Sequence, residues 1–116
     1  MGCLFCGIID GSIPSTKVYE DDKMLVFRDV NPEAPFHCLA VLKGMPHLDS
    51  LASLAEYPER AADVGYLLTV AAKHQAEWGL EDGFRVITNC GADASQSVLH
   101  LHFHIIGGGK LTVQLG

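Results

Sequence analysis

His100-Leu101-His102-Phe103-His104-Ile105-Ile106 places an imidazole at every second position of an otherwise apolar run. Side chains alternate across a β-strand, so this spacing predicts a strand with His100, His102 and His104 on one face and Leu101, Phe103 and Ile105 in the core. Like-facing residues repeat at about 6.6 Å, twice the strand rise. Imidazole is a nucleophile, a general base and a metal ligand near neutral pH, and three of the six histidines fall within these five residues. Three readings of the face follow. The rings are hydrogen-bonded members of a half-buried sheet, each nitrogen needing a partner; or alternate histidines share a zinc ion; or the middle histidine acts as a covalent catalyst.

Working outward, Asn89 to Leu99 precedes the strand and Gly107-Gly108 follows it. Ser95, Gln96 and Ser97 offer hydroxyl, amide and backbone donors to an anion, and Asn89 ends the preceding strand at the same mouth. Phe84 to Thr88 and Val98 to Ile106 read as the last two strands. Lys17 to Glu20 and Met24 to Arg28 read as a hairpin turned by Asp21-Asp22-Lys23, and Phe36 to Leu42 as a central strand. Leu4 to Asp10 predicts a short helix packed by Phe5, Ile8 and Ile9. Pro58 to Trp78 predicts the main helix, with Leu67, Leu68, Ala71 and Trp78 on one face and Gly79 as its cap. Strands at both ends with helices between them predict an α+β fold with an antiparallel sheet, one long helix and a short N-terminal helix, rather than a parallel doubly wound sheet.

The 116 residues predict a single domain over 1–116, and 48% hydrophobic residues suffice for a core without staples. No run approaches the roughly 18 apolar residues of a membrane span, and no signal sequence opens the chain, so a cytoplasmic protein without membrane contact is expected. A net charge of −6 without a Lys/Arg cluster argues against nucleic-acid binding. Four cysteines in that compartment read as thiols or metal ligands. Cys3-Leu4-Phe5-Cys6 has the spacing of a zinc half-site, with His47 and His100 as spare ligands. Cys38 and Cys90 are expected to be core or loop thiols, His74 a packing or solvated residue, and Asp21-Asp22 a turn.

The sequence resembles the histidine triad family, whose signature is three alternate histidines with apolar residues between and after them. His100 to Ile106 matches at every position, and the likeness extends over Phe5-x-x-Ile8-Ile9, Ile13-Pro14, Tyr19 to Asp22, Asp29-Val30-Asn31-Pro32-x-Ala34-Pro35-x-His37, Arg85, Asn89 and Gln96-Ser97-Val98. Gly107-Gly108 is more similar to the Hint branch, the nucleoside phosphoramidases, than to the Fhit branch, which cleaves dinucleoside polyphosphates. The resemblance implies a hydrolase acting at the α-phosphate of a purine nucleotide, and a homodimer. It implies His102 as nucleophile and His104 on the phosphate oxygens, with His37 behind it. Ser97 and Asn89 then meet the phosphate and leaving group, and Gln96 and Ser95 complete the loop. Asp29 takes the ribose, while Val30, Phe5, Ile8, Phe27 and Leu39 form the base pocket. It also implies a structural zinc on Cys3, Cys6, His47 and His100. Dinucleoside polyphosphate hydrolysis and non-catalytic nucleotide binding are the alternatives. Lys110 to Gly116 lacks the tryptophan-bearing tail of some Hint members, which bears on the leaving group.

Overall fold

The computed structural model describes residues 3–113. The ends of the 1–116 span, and with them Gln114 to Gly116 of the C-terminal run, lie outside the described residues.

Helix α1 (Leu4–Asp10) begins where the Cys3 sulfur accepts the backbone N–H of Cys6, so the first cysteine of the pair is also a helix cap. It stops at Gly11, whose φ of +88° suits the left-handed cap conformation. Phe5 and Ile8, three residues apart, form its buried stripe. Gly7 lets the chain fold back against the helix, since a Cβ there would stand 2.5 Å from Ile13 Cδ1.

Strands β1 (Lys17–Glu20) and β2 (Met24–Arg28) form the predicted hairpin, with a register irregularity between Lys17 and Tyr19. Asp21 makes the turn: Oδ1 accepts the N–H groups of Lys23 and Met24, and Oδ2 accepts the hydroxyls of Tyr19 and Tyr66. Despite the opposing desolvation, these donors hold its carboxyl at a pKa of about 2. Strand β3 (Phe36–Leu42) is buried along its whole length, as a central strand covered on both faces must be. With β4 (Phe84–Ile87) and β5 (His102–Gly107) it completes an antiparallel sheet of order β1-β2-β3-β5-β4.

Helix α2 (Ala61–Lys73) covers one face of this sheet and α1 the other. Met24, Val26, Cys38, Ala40, Leu42, Leu101, Phe103 and Ile105 pack with Leu67, Val70 and Ala71 of α2. On the opposite face Leu25, Phe27, Leu39 and Val41 pack with Phe5 and Ile8. Burying three such side chains of α2 contributes roughly 1.5–3 kcal/mol each for the larger ones.

The main helix is shorter than the sequence predicts. Pro58–Arg60 is a separate 3₁₀ turn, α2 ends at Lys73, and residues 74–79 continue as turns, which Gly79 closes at φ +73° as its own N–H meets Ala76 O and that of Leu80 meets Gln75 O. Leu68 is exposed and Val70 is buried, because the buried stripe runs through 67, 70 and 71, and 68 lies about 100° round the helix from 67. Trp78 leaves the helix and stacks on His74 and Phe36. The last strand also starts later than predicted. Residues 98–100 form a bend, so His100 precedes β5 rather than belonging to it. The N–H of Leu101 is drawn to Leu48 O at 2.8 Å, which takes it out of the ladder. β4 ends at Ile87, where the Thr88 hydroxyl donates to His102 O at 2.7 Å and replaces a backbone pairing.

Candidate active site and metal cluster

On β3 and β5 the residues facing α1 are His37, Leu39, Val41, His102 and His104, with Leu39 opposite His104 and Val41 opposite His102. A cleft of about 970 Å³ opens there. Phe5, Ile8, Phe27 and Leu39 wall its apolar side, while Asn89, Ser95, Gln96 and Ser97 border the histidine side with His102 and His104. Val30 and Asp29 also line it, but Val30 is 89% exposed and stands at the rim rather than in the wall. Leu4, Ile13, Pro14, Ser15, Thr16, Arg28, Asn31 and Val98 complete the lining; Ile13, Pro14, Asn31 and Val98 fall in segments that carry the family resemblance, whereas no sequence pattern distinguishes Ser15, Thr16 and Arg28.

Hydrogen bonds fix the state of each ring. His102 is 7% exposed, and its Nδ1 lies 2.7 Å from the carbonyl of His100. A carbonyl only accepts, so Nδ1 carries the proton and Nε2 keeps its lone pair. Phe5 packs edge-on against this ring at 4.9 Å. His104 is the reverse. The backbone N–H of Glu33 donates to His37 Nδ1 at 3.0 Å, which leaves the His37 proton on Nε2. That nitrogen donates to His104 Nδ1 at 2.9 Å and lies 3.3 Å from Asp29 Oδ2. Because His104 accepts at Nδ1, its own proton sits on Nε2. One backbone amide therefore sets two tautomers in series, and neighbouring rings on one face present a lone pair and an N–H. Burial, then His102 and His37, hold the pKa of His104 below the usual histidine value.

The loop before the bend is tied by Gln96. Its Oε1 accepts the N–H of Gly91, and its Nε2 donates to Asp49 O and Val98 O. Both ends of its amide thus bond backbone, and the side chain shapes the loop where it borders the cleft. Ser95 closes the turn with φ +62°, and Ser97 is exposed at the mouth.

Cys3, Cys6, His47 and His100 converge at the end of the sheet, with one ligand atom from each within 4.8 Å of the others. His100 Nδ1 lies 3.2 Å from Cys3 Sγ and 3.5 Å from Cys6 Sγ, and His47 Nδ1 lies 3.9 Å from Cys6 Sγ. Bond lengths of 2.3 Å to sulfur and about 2.05 Å to nitrogen in a tetrahedron put S and N about 3.6 Å apart, inside this range. The far nitrogens are also arranged for a metal. His47 Nε2 donates to Leu99 O at 2.9 Å and sits 3.0 Å from Asp49 Oδ1, and His100 Nε2 donates to Leu42 O at 3.4 Å. Both rings thus turn a lone pair on Nδ1 toward the sulfurs. Desolvation, then the Cys3 thiol, raises the Cys6 thiol to a pKa of about 11, and burial, then His47, lowers His100 to about 4. The donor set fits a soft divalent cation.

Asp29, His37 and His104 form a second group of the same compactness. It does not fit a metal, since the Glu33 N–H on Nδ1 keeps the proton of His37 on Nε2, the atom that would have to bind. Cys38 is buried in the core, and Cys90 lies in a loop with its sulfur 3.5 Å from Ser50 Oγ.

A family model described as the HIT domain matches residues 10–111. The 14 kDa zinc-binding protein of Zea mays is 48% identical over 109 residues, which are 93% of this chain and 83% of that protein. Adenylylsulfatase HINT1 of Arabidopsis thaliana is 43% identical over 109 residues, 93% of this chain and 72% of that protein. The structure of a histidine triad protein from Clostridium difficile superposes with a TM-score of 0.86 at 47% identity, covering 97% of this chain and 96% of that one. With a matched model over most of its length and relatives of this identity, the chain belongs to the HIT domain family, with Hint-like homologues.

Proposed function

We propose that this chain is a single-domain hydrolase of nucleoside 5′-phosphoramidates, with His102 as its nucleophile. The observation that carries the reading is the opposed tautomers of His102 and His104 on one wall of a cleft whose other wall is apolar. The base lies against Phe5, Ile8, Phe27 and Leu39, where a purine buries more area than a pyrimidine. Asp29 and Val30 stand at the ribose, and Asn89, Ser95 and Ser97 at the phosphate. His102 Nε2 attacks the α-phosphorus as the P–N bond breaks, and the departing nitrogen leaves as an amine after taking up a proton. His104 Nε2–H donates to a phosphate oxygen as negative charge gathers there. Water then cleaves the nucleotidyl-histidine, releases the nucleoside monophosphate and restores His102.

Arg28 is the one Lys or Arg among the described residues lining the cleft. A dinucleoside polyphosphate would bring several negative charges to a site with that single cation, so a neutral or cationic leaving group is favoured. The Arabidopsis relative named adenylylsulfatase makes a sulfate leaving group the second reading. Zinc belongs to the same proposal, held by Cys3, Cys6, His47 and His100: thiolate with imidazole is a zinc donor set, and the maize relative is named a zinc-binding protein. It would fix the start of α1 beside the bend at His100, and no chemical step passes through it. A cytoplasmic homodimer completes the reading, and β4, at one edge of the sheet with Val86 exposed, offers a pairing surface. The test is AMP release from adenosine 5′-phosphoramidate by wild type and His102→Ala, both checked for folding by circular dichroism. Release by wild type alone is expected, and near-normal release by the variant overturns the assignment.

A further inference from the structure

We propose that the Cys3–Cys6–His47–His100 cluster positions the nucleophile, so that metal occupancy and nucleotide binding are thermodynamically coupled. The inference rests on the hydrolase reading above for its nucleotide half alone.

The connection is His100 itself. Its ring lies in the cluster, and its backbone carbonyl accepts the Nδ1–H of His102, the bond that keeps the His102 lone pair on Nε2. Had His100 been a strand residue, as its spacing predicts, the ladder would hold that carbonyl regardless of the ring. It lies in the bend before β5 instead. Besides the Gln96 amide on Val98 O, the attachments of this segment run through the cluster's own rings or its loop. His47 Nε2 donates to Leu99 O, His100 Nε2 donates to Leu42 O, and Leu101 N–H donates to Leu48 O, the residue after His47. The His100 ring bond is long, at 3.4 Å, and so a weak anchor. Beyond its packing against His47 and Phe5, the ring is held by whatever joins its Nδ1 to the two sulfurs.

A second route runs through α1. Cys3 and Cys6 carry the cluster on the first turn of this helix, and Phe5 between them packs edge-on against His102 and Phe27 while lining the cleft. Seven residues are too few for a helix to be stable alone. Fixing its start on the cluster therefore fixes both the apolar wall and the packing of the nucleophile ring. A metal that holds these groups lowers the ordering cost of nucleotide binding, and by reciprocity nucleotide strengthens metal binding by the same factor.

The test uses the folded protein with Zn²⁺ and AMP as probes. Zinc affinity is measured by chelator competition with and without saturating AMP, and AMP affinity by calorimetry on zinc-loaded and chelator-treated protein. Both ratios are expected to be equal and to lie in the roughly 5- to 150-fold range of site couplings. In parallel, ¹⁵N–¹H spectra of the histidine rings report the His102 tautomer. Loaded protein is expected to show Nδ1–H alone, whereas chelator-treated protein and a His47→Ala variant show a mixture, with secondary structure checked by circular dichroism. A ratio of one together with an unchanged tautomer overturns the proposal. Should the chelated protein unfold, the chelator competition on loaded protein and the His47→Ala spectrum still decide it. Absence of AMP binding in both forms overturns the nucleotide reading and the coupling with it, while the tautomer readout separately decides whether the cluster positions His102.

Discussion

Replacing His37 tests whether one backbone amide sets the proton positions of the site. His37 is 5% exposed, accepts from Glu33 N–H at 3.0 Å and donates to His104 Nδ1 at 2.9 Å. Leucine fills a similar volume and can do neither, so His37→Leu removes both bonds without opening a large cavity. Glu33 is exposed and its amide turns to water, whereas His104 is half-buried and its Nδ1 loses its donor. Losing a partner at such a site costs about 1–2 kcal/mol. If that energy holds His104 with its proton on Nε2 in the transition state, kcat for phosphoramidate hydrolysis falls about 5- to 30-fold, with KM little changed. Glutamine carries both an acceptor and a donor, so His37→Gln is expected to recover a large part of the loss. Steady-state AMP release from adenosine 5′-phosphoramidate gives both constants. Full kcat in His37→Leu, or no difference between the two variants, refutes the relay.

Gln96→Ala removes three loop bonds at once, to Gly91, Asp49 and Val98. A KM increase of about tenfold and a stability loss of about 1–3 kcal/mol in a thermal melt are expected, and an unchanged KM would show that the loop holds without it. Protonation of His100 and His104 is disfavoured in the fold, their pKa values lying below 6.5, at about 4 for His100. Groups with a depressed folded pKa stabilise the protein fully above the unfolded value and lose that contribution as pH falls through the window from 6.5 to 4. Chelator-treated protein should therefore show a Tm that declines between pH 6.5 and 4, and a flat Tm across that window would contradict the burial of these rings.

Much of the architecture was written locally. Alternation in residues 102–106, the apolar stretch of β3 and the Asp21 turn each report a periodicity or a capping preference that acts over a few residues, and the structure follows them. Cys3-x-x-Cys6 was legible as a half-site for the same reason, since both cysteines share one helical turn. Where local patterning misled, a distant partner had intervened: His100 left the strand beside a cluster that includes cysteines 97 and 94 positions away.

The sequence by itself determined which faces are apolar and which residues can carry chemistry, because burial of a periodic stripe needs no knowledge of its partner. Only the tertiary structure decided which nitrogen of each histidine holds the proton. That choice belongs to a hydrogen bond donated by Glu33 N–H and to bonds accepted by His100 O, Leu42 O and Leu99 O, backbone groups of kinds common to nearly every residue and selected by where the fold brings them.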